Sequence, residues 1–438
     1  MPTEKAHGIQ IMKMCEAFAE HGLPLMNAAD NHGFWEKDSC ELLYKNFTYR
    51  IRECAFKIYN TLGFGHKELV YQKTIEREFQ KKGLKFEPQK HLAIHYNGKV
   101  EVELVVPWRF NKIKEDPFRY YNIKNTFKIT KVPSIDLLKF GKIGFLLQFF
   151  SFAKCACCYM LFKKADVIYS RDALPLFFLS FFKRNLIWEI HVNRFDPIIK
   201  RVLKKCKSII AITQKLKNFY ITKGAKANKI LVAPDGVDLN EFDIKTSKDE
   251  GREKLNLPKN KKIILYSGSF YLYDWKGIDI LLDASKYFDD KHLFILVGGT
   301  DEEILAIKEK FNLKNVLLIG HQSHSLMPFF LKAADILVLP NKKGNEVSEK
   351  YTSPMKLFEY MASKRPIVAS DLPSIREILN EDSSVLVDPN NPGALAKGIK
   401  KILKDKNLAE KISMQAYSNV QNYSWNKRAE KILESIKF

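Results

Sequence analysis

Residues that could do chemistry are concentrated between Tyr351 and Ala362, a stretch that reads Y-T-S-P-M-K-L-F-E-Y-M-A. Ser353 is expected to cap a helix, and Pro354 to occupy its first turn, where the missing N–H removes no helical hydrogen bond. The N–H groups at that end favour an anion, and Lys356 adds a positive charge beside them. Glu359, one turn further along, is placed to accept hydrogen bonds from a sugar diol. An ordinary capped helix with an exposed lysine is the alternative interpretation.

Strands and helices are needed to position these residues. The sequence alternates short apolar runs with amphipathic segments, and this pattern is typical of βαβ units around a parallel sheet. Gly268, Gly299 and Gly320 follow three of the runs, and doubly wound sheets bind ligands at the carboxyl ends of their strands. The C-terminal half is therefore expected to hold a nucleotide. Its predicted strands are 263–266, 293–297, 316–319, 336–339, 366–369 and 383–387.

A second set of units precedes the first, and the two sets meet at the polar stretch 245–262. The sequence thus predicts an α/β protein with two Rossmann-like, doubly wound parallel-sheet domains facing a cleft. The strands predicted in the N-terminal set are 102–106, 167–170, 186–190, 208–213 and 229–233. The predicted domains are 1–21 with 99–245, an α+β insertion at 22–98, a C-terminal domain at 246–420, and a helix at 421–438 packed back on the N-terminal domain.

The chain carries 72 Lys and Arg against 50 Asp and Glu, a formal net charge of +22. This charge suits nucleic acid, an anionic membrane or a nucleotide diphosphate, and a solvated surface without a partner is the further alternative. Seven cysteines without a spaced framework, and no secretory leader, favour a reducing cytoplasm. The apolar stretch 143–162 approaches membrane-spanning length but contains Gln148 and Lys154, so it is predicted to be a buried helix.

With its surroundings, the motif at 351–362 resembles family 4 of the GT-B glycosyltransferases, retaining enzymes that use nucleotide sugars. The resemblance covers residues 1–21 and about 100–438. It implies transfer of a sugar from a nucleotide-diphosphate sugar to a glycan or lipid-linked acceptor in cell-surface polysaccharide synthesis, with no cofactor and no metal. Further motifs in matching order are P-D-G-V-D at 234–238, Y-S-G-S at 266–269, W-K-G at 275–277, V-G-G at 297–299, I-G-H at 319–321 and A-D-I-L-V-L-P at 334–340.

The resemblance also implies roles for single residues. Lys276 should contact the donor diphosphate, and the loop at Gly268 and Ser269 should let the phosphates approach the backbone. Glu359 should bind the ribose hydroxyls, His321 should lie beside the base, and His191, at a strand end, near the donor sugar. His191, Lys276 and Glu359 are then the candidate catalytic residues. The other donor-binding candidates are Gly8, Gly299, Ser353, Pro354, Met355, Lys356 and Leu357.

These assignments predict catalysis mainly by positioning and by electrostatic help to the leaving diphosphate from Lys276 and the helix terminus. A solvated lysine, a turn glycine and structural or surface histidines are the alternatives. Two positions depart from the family pattern: the usual Glu-x7-Glu pair would place its first acid at Tyr351, and Tyr271 stands where an arginine often lies. We interpret this as a subgroup of the family.

An inactive sugar-nucleotide-binding or interaction protein is the alternative function. The expected location is the cytoplasm, with peripheral attachment to the inner face of the membrane. Nucleic acid is not an expected partner, because the sequence has neither an acidic metal cluster nor a clear basic-aromatic stripe.

Residues 40–98 resemble another family. Residues 65–71 read G-H-K-E-L-V-Y, like the opening half of a GxxExxY protein, which is related to PD-(D/E)xK nucleases. That family's metal-binding acid and Glu-x-Lys should follow the turn at 96–98, but glycosyltransferase-like sequence resumes at 100–108, so nuclease chemistry is not expected. The insertion separates a first helix from strand 102–106, and the preceding strand is expected to be missing. Helix and strand are predicted to rejoin one sheet around the insertion.

Overall fold

The computed structural model describes residues 6–20, 100–110, 115–137, 140–270, 274–311 and 313–436. The chain divides into two units, Met1–His21 with Val100–Phe438, and Gly22–Lys99. The second unit lies outside the described residues, together with the helices and the strand predicted in the insertion. The first unit contains an N-terminal and a C-terminal lobe, each with parallel strands and flanking helices.

The strands of the N-terminal lobe form two parallel sheets, of two strands and of four strands in the order β3-β4-β5-β6. They are β1 (Glu103–Pro107) paired with β2 (Lys128–Val132), then β3 (Ile168–Ser170), β4 (Leu186–Ile190), β5 (Ser208–Ala211) and β6 (Ile230–Val232). Five of the six are predicted from the sequence, and β2 is not, because its residues K-I-T-K-V include two lysines. Among the described residues no strand joins the two sheets, so the single sheet expected around the insertion is not formed.

The C-terminal lobe has a six-stranded parallel sheet in the order β12-β11-β10-β7-β8-β9. Its strands are β7 (Lys262–Ser267), β8 (His292–Gly299), β9 (Val316–Gly320), β10 (Ile336–Leu339), β11 (Ile367–Ser370) and β12 (Val385–Val387). All six predictions are confirmed, because parallel strands covered on both faces have nearly continuous apolar sequences. The strand order reverses between β7 and β10, and this switch point is where such sheets bind ligands.

Helices cover the faces of these sheets. They are α1 (Ala6–Glu20), α2 (Pro117–Tyr120), α3 (Gly141–Phe162), α4 (Ala173–Leu179), α5 (Pro197–Lys205), α6 (Gln214–Thr222), α7 (Leu239–Phe242), α8 (Lys248–Lys254), α9 (Ile278–Ser285), α10 (Asp301–Lys310), α11 (Met327–Ala333), α12 (Met355–Ala362), α13 (Pro373–Arg376), α14 (Pro392–Lys404), α15 (Lys406–Val420) and α16 (Trp425–Ser435).

Helix α1 packs against both sheets of the N-terminal lobe. Met12 and Ala19 belong to an apolar cluster that includes Leu104 of β1. Met14, two residues from Met12 and therefore on the opposite side of the helix, belongs to a second cluster with Ile187 of β4. A helix that is apolar on more than one side must be buried on more than one side. The helix therefore holds together two sheets that share no hydrogen bonds among the described strands.

The chain passes between the lobes twice, and the two passages lie side by side. The N–H of Val237 donates to the carbonyl of Tyr423 at 3.0 Å, and the N–H of Trp425 donates back to the carbonyl of Val237 at 3.4 Å. Gly236 allows this approach, since a Cβ on it would lie 2.7 Å from the Tyr423 oxygen. After the second passage, α16 packs on the N-terminal lobe through a cluster that includes Trp425.

Helix α3 corrects one expectation. It is, among the described residues, the one helix long and apolar enough to cross a membrane, and only 22% of its most apolar window is buried. The prediction of a buried helix at 143–162 is therefore wrong. Apolar composition shows that a segment avoids water, but it does not show which surface covers it.

Candidate functional site

Close-packed loops meet at the switch point of the C-terminal sheet. Gly277 has φ +71°, and a Cβ on it would lie 1.9 Å from the carbonyl oxygen of Pro340, which follows β10. Gly268 follows β7 with φ +124°, and a Cβ there would come within 2.5 Å of Lys356 Nζ. Only glycine combines this left-handed backbone with so close an approach. The sequence thus brings the ends of β7 and β10 and the start of α12 together.

Two lysines converge beside Gly268. Lys276 Nζ donates to Ser269 Oγ at 2.6 Å, and Lys356 Nζ lies 3.9 Å from the centre of the Tyr266 ring. Burial lowers the pKa of Lys276, and burial together with the charge of Lys276 holds the pKa of Lys356 well below its usual range. An anion bound between them would supply the opposite charge that stabilises both ammonium groups. The pair is suited to a phosphate.

Helix α12 starts one residue later than the sequence predicts. Pro354 is its N-cap residue and has no side-chain cap, so the predicted cap by Ser353 is wrong. The Ser353 hydroxyl instead accepts a 3.0 Å hydrogen bond from the N–H of Asp235. First-turn N–H groups have no acceptor one turn back along the helix, although that of Leu357 donates to the Pro354 carbonyl at 2.9 Å. The positive end of α12 is beside the two lysines.

The apolar residues of the motif anchor α12 to both lobes. Leu357 is fully buried in the core of the C-terminal lobe, in the cluster of Leu265 and Leu337. Met355 packs against the N-terminal cluster that contains Met14 and Ile187. The start of α12 therefore lies at the boundary between the lobes.

His324, which the sequence analysis does not single out, lies between two carboxylates. Its Nδ1 is 2.8 Å from Glu241 Oε1, and its Nε2 is 3.6 Å from Glu359 Oε1. Burial alone would lower the pKa of His324, but the interactions with Glu241 and Glu359 outweigh burial and raise it to about 10. We therefore expect a protonated ring at neutral pH, which attracts the Glu359 carboxylate across a distance longer than a hydrogen bond. Glu241 is 83 positions from His324, so no local pattern marks this contact.

The row of charges continues into the N-terminal lobe. Lys13 of α1 lies 3.6 Å from Glu241 and 2.7 Å from Asp238, and its side chain is only 5% exposed. Burial opposes the charge of Lys13, but Asp238 and Glu241 raise its pKa. Lys13, Glu241, His324 and Glu359 thus alternate in sign from one lobe to the other. We call these four residues the charge row.

His191 follows β4 and faces a buried ionic cluster. Its Nδ1 accepts from Arg171 at 2.9 Å, and its Nε2 is 2.5 Å from Glu189 Oε1. Because a guanidinium only donates, these contacts place the ring proton on Nε2. Glu189 also pairs with Arg428 of α16 at 3.1 Å, and although burial opposes ionisation, Arg428 and His191 hold the pKa of Glu189 well below its usual range.

The remaining candidates fall in different places. Gly8 lies in the first turn of α1. Gly299 is buried, and a Cβ on it would overlap the Phe270 ring at 2.2 Å. His321 is exposed after β9. Tyr351, at the position of the first family acid, is 6% exposed and packs against Phe219 of the N-terminal lobe. Tyr271 is outside the described residues.

The structure therefore gathers one group of candidates tightly, at the carboxyl ends of β7 and β8 and the start of α12. This group consists of Gly268, Ser269, Lys276, Gly299 and Lys356. Glu359 follows on α12, and His191 belongs to the other lobe. Within the described ranges there is no group of three or more His, Cys, Asp or Glu side chains that could hold a metal ion.

Two protein families match parts of this chain. Residues 247–419 match the family of group 1 glycosyl transferases. Residues 45–107 match the PD-(D/E)XK nuclease superfamily, so this match extends beyond the predicted end of the insertion at 98 and includes β1.

Known proteins show the same resemblance over longer stretches. An uncharacterized glycosyltransferase of Methanocaldococcus jannaschii is 25% identical over 79% of this chain and 92% of its own length. A phosphatidyl-myo-inositol mannosyltransferase of Mycobacterium leprae is 28% identical, and the match spans 46% of this chain and about half, 51%, of that protein. The crystal structure of Anabaena HepE with UDP and glucose superposes with a TM-score of 0.58 at 19% identity, covering 72% of this chain and 87% of HepE.

The fold is that of the GT-B glycosyltransferases, two Rossmann-like lobes with the candidate site at the switch point of the second. Residues 247–419 are a group 1 glycosyltransferase domain, and the chain is a glycosyltransferase.

Proposed function

We propose that this glycosyltransferase moves a sugar from a nucleotide-diphosphate sugar to a glycan or lipid-linked acceptor in cell-surface polysaccharide synthesis, with retention of configuration at the anomeric carbon and without a metal ion. The observation that carries the donor assignment is the pair Lys276 and Lys356 beside Gly268, at the positive end of α12. Cleavage of the anomeric bond builds negative charge on the leaving diphosphate, and prepositioned cations stabilise that charge.

The other roles follow from position. Glu359 would accept hydrogen bonds from the ribose hydroxyls, since its carboxylate lies one turn beyond Lys356 and 3.6 Å from the His324 ring. His321, exposed after β9, would lie beside the base. His191, on the facing lobe, would contact the donor sugar through a ring that Arg171 and Glu189 orient. Catalysis then rests on positioning and on charge stabilisation.

The donor assignment is tested by thermal shift with nucleoside mono- and diphosphates, because a ligand that binds only the folded state raises its apparent stability. UDP is the first diphosphate to test, since HepE is solved with UDP. We expect diphosphates to raise the midpoint more than the matching monophosphates do. Equal shifts for mono- and diphosphates would contradict a site built for a diphosphate.

Substitution of Lys276 tests the site directly. We expect Lys276→Ala to weaken diphosphate binding by on the order of tenfold or more, the loss of a charge-assisted contact of about 1.5 to 3 kcal/mol. Lys308→Ala is the matched control, because Lys308 is exposed on α10 of the same lobe. The readout is isothermal titration calorimetry, and equal affinities for the two variants would refute the assignment.

A measurement of turnover distinguishes an active glycosyltransferase from an inactive binding protein. Release of nucleoside diphosphate from a panel of nucleotide sugars, with and without membrane-extracted acceptors, should be lost in Glu359→Ala. Glu309→Ala, an exposed change on α10, should keep it. Donor binding without any sugar release across the panel would support the inactive protein instead.

A further inference from the structure

A strongly apolar surface borders the loops after β1 and β2. On α3, Ile143, Leu146, Leu147 and Phe150 lie at i, i+3, i+4 and i+7 and are 43% to 71% exposed. This spacing places them on one stripe of the helix. Large apolar side chains exposed together in this way mark a binding surface.

The loops extend the stripe into a continuous surface. Phe110, 77% exposed, follows β1 and packs edge-on against Trp108, with ring centres 4.7 Å apart. Its N–H donates to Asp136 at 2.8 Å, while the N–H of Ile135 donates to Ser151 of α3 at 2.9 Å. These bonds tie both loops to the helix. We call the exposed side chains of Trp108, Phe110 and Ile135 and of the α3 stripe the apolar rim.

The opposite side of α3 is attached to the lobe along its length. Gly144, Gln148 and Ala156 are buried on that side. Near its end, the Tyr159 hydroxyl donates to Glu103 of β1 at 2.6 Å. A membrane-spanning helix would have to break this packing and carry Gln148 into lipid. The helix is therefore placed to lie along a surface with one side immersed.

Positive charge accompanies the rim. Arg109, between Trp108 and Phe110 in the loop after β1, is exposed. On α3, Lys142 and Lys154 are both exposed. A second copy of this chain would bring the same positive charge against itself, whereas an anionic lipid surface is complementary both to the charge and to the apolar stripe.

We propose that the apolar rim is the surface by which this glycosyltransferase binds the anionic face of a lipid bilayer, with α3 in the plane of the membrane. Apolar side chains enter the boundary of the headgroups and acyl chains, and the surrounding lysines and arginines meet the lipid phosphates. The inference does not depend on the identity of the donor or the acceptor.

The test is flotation of the full chain with vesicles of phosphatidylcholine alone and of an equal mixture with phosphatidylglycerol. We expect binding to the mixed vesicles and weak binding to the neutral ones. The triple variant Ile143→Ser, Leu147→Ser, Phe150→Ser should lower the partition coefficient at least about tenfold. The control is Tyr287→Ser, Leu305→Ser, Met414→Ser, which removes comparably exposed side chains of the C-terminal lobe.

A second variant protects the test against misfolding. Lys142→Glu with Lys154→Glu changes only exposed charges, and it should weaken binding to mixed vesicles several-fold and reduce its salt dependence. Four results would overturn the proposal: equal binding of the rim variant and the control, equal binding of wild type to both vesicle types, self-association abolished by the rim variant, or resistance of the membrane-bound chain to alkaline extraction. Self-association would identify a second copy as the occupant, and alkaline resistance a spanning helix.

Discussion

His324 lies beside Glu359 in the proposed donor site and is not predicted from the sequence. The role proposed for Glu359 requires a carboxylate of fixed direction, and the His324 ring attracts this carboxylate from 3.6 Å away, a distance longer than a hydrogen bond. Glu241 on the other side of the ring stabilises the proton. We therefore propose that His324 positions Glu359.

The raised pKa of His324 predicts a pH dependence. The folded state binds the proton with a pKa of about 10, against an ordinary value of 6.5, so the contribution to stability is complete below about pH 6.5 and is lost as the pH rises toward 10. The unfolding free energy of wild type minus that of His324→Gln, measured by urea titration, should fall over this range. His321→Gln, a change at an exposed histidine, is the control. A difference that stays constant from pH 6 to pH 10 would contradict the protonated ring.

Gly268 offers a second test at the residue scale. Gly268→Ala combines a left-handed φ of +124° with a Cβ 2.5 Å from Lys356 Nζ, so it should displace the lysine and weaken diphosphate binding. Gly224→Ala has a comparable φ of +92° but no atom within 4 Å of the new Cβ. Both should lose about 1 to 3 kcal/mol of stability from backbone strain. Only Gly268→Ala should lose affinity in calorimetry, and equal affinities would show that the loop does not depend on this approach.

Whether a contact of a single residue can be predicted depends on how far apart its two residues lie in the sequence. Lys356 and Glu359 stand on one helix, so their relative placement is visible in the sequence. The contacts of Ser353 with Asp235 and of His324 with Glu241 join residues 118 and 83 positions apart, and only the folded chain shows them. Local spacing predicts which residues share a helix, but it does not predict what the helix meets.

At the scale of elements, α16 fastens the end of the described chain to the N-terminal lobe through one buried ion pair. Arg428 and Glu189 are each 3% exposed, and Arg428 also donates to the carbonyl of Pro234 at 2.8 Å. The helix therefore places the Arg428 guanidinium in the core, where it pairs with Glu189, the carboxylate that contacts His191.

Breaking this pair should be costly. Arg428→Met removes the guanidinium partner of the buried Glu189 carboxylate and leaves it with Tyr169 and His191, so we expect a loss of about 3 kcal/mol in unfolding free energy. Adding Glu189→Gln should recover part of that loss, since the buried side chain no longer carries a charge. Lys427→Met, an exposed change on the same helix, is the control. If the single and double variants unfold alike in denaturant, the pair does not stabilise the attachment of α16.

Strands that are buried on both faces of a sheet are predicted well from the sequence. β4 and β10 have the predicted bounds, 186–190 and 336–339, because every residue in them is buried. β2 is not predicted, because its two lysines interrupt the apolar alternation that marks a strand. α3 is predicted as a helix but assigned to the core, since its apolar residues extend over more than the side that the lobe covers.

At the scale of the whole molecule, the first unit has its own apolar clusters, built from Met1–His21 and Val100–Phe438. Replacement of Gly22–Lys99 by a short Gly-Ser linker should therefore keep the thermal shift with nucleoside diphosphates. A chain that starts at Val100 is the contrasting variant, because it also removes α1, which packs on both N-terminal sheets. It should lose cooperative unfolding. Loss of the thermal shift in the linker variant would show that the unit depends on the replaced segment.

The two adjacent passages of the chain between the lobes would restrict how the lobes rotate relative to each other. A single flexible connection would let one lobe turn about any direction, but two passages bonded through Val237, Tyr423 and Trp425 leave one axis of easy rotation. Asp235 lies two residues from this axis, so its bond to Ser353 should survive opening, whereas His191 and Lys276 swing through a larger arc. We therefore expect the separation between the lobes to increase most at the edge farthest from the paired passages and least beside them.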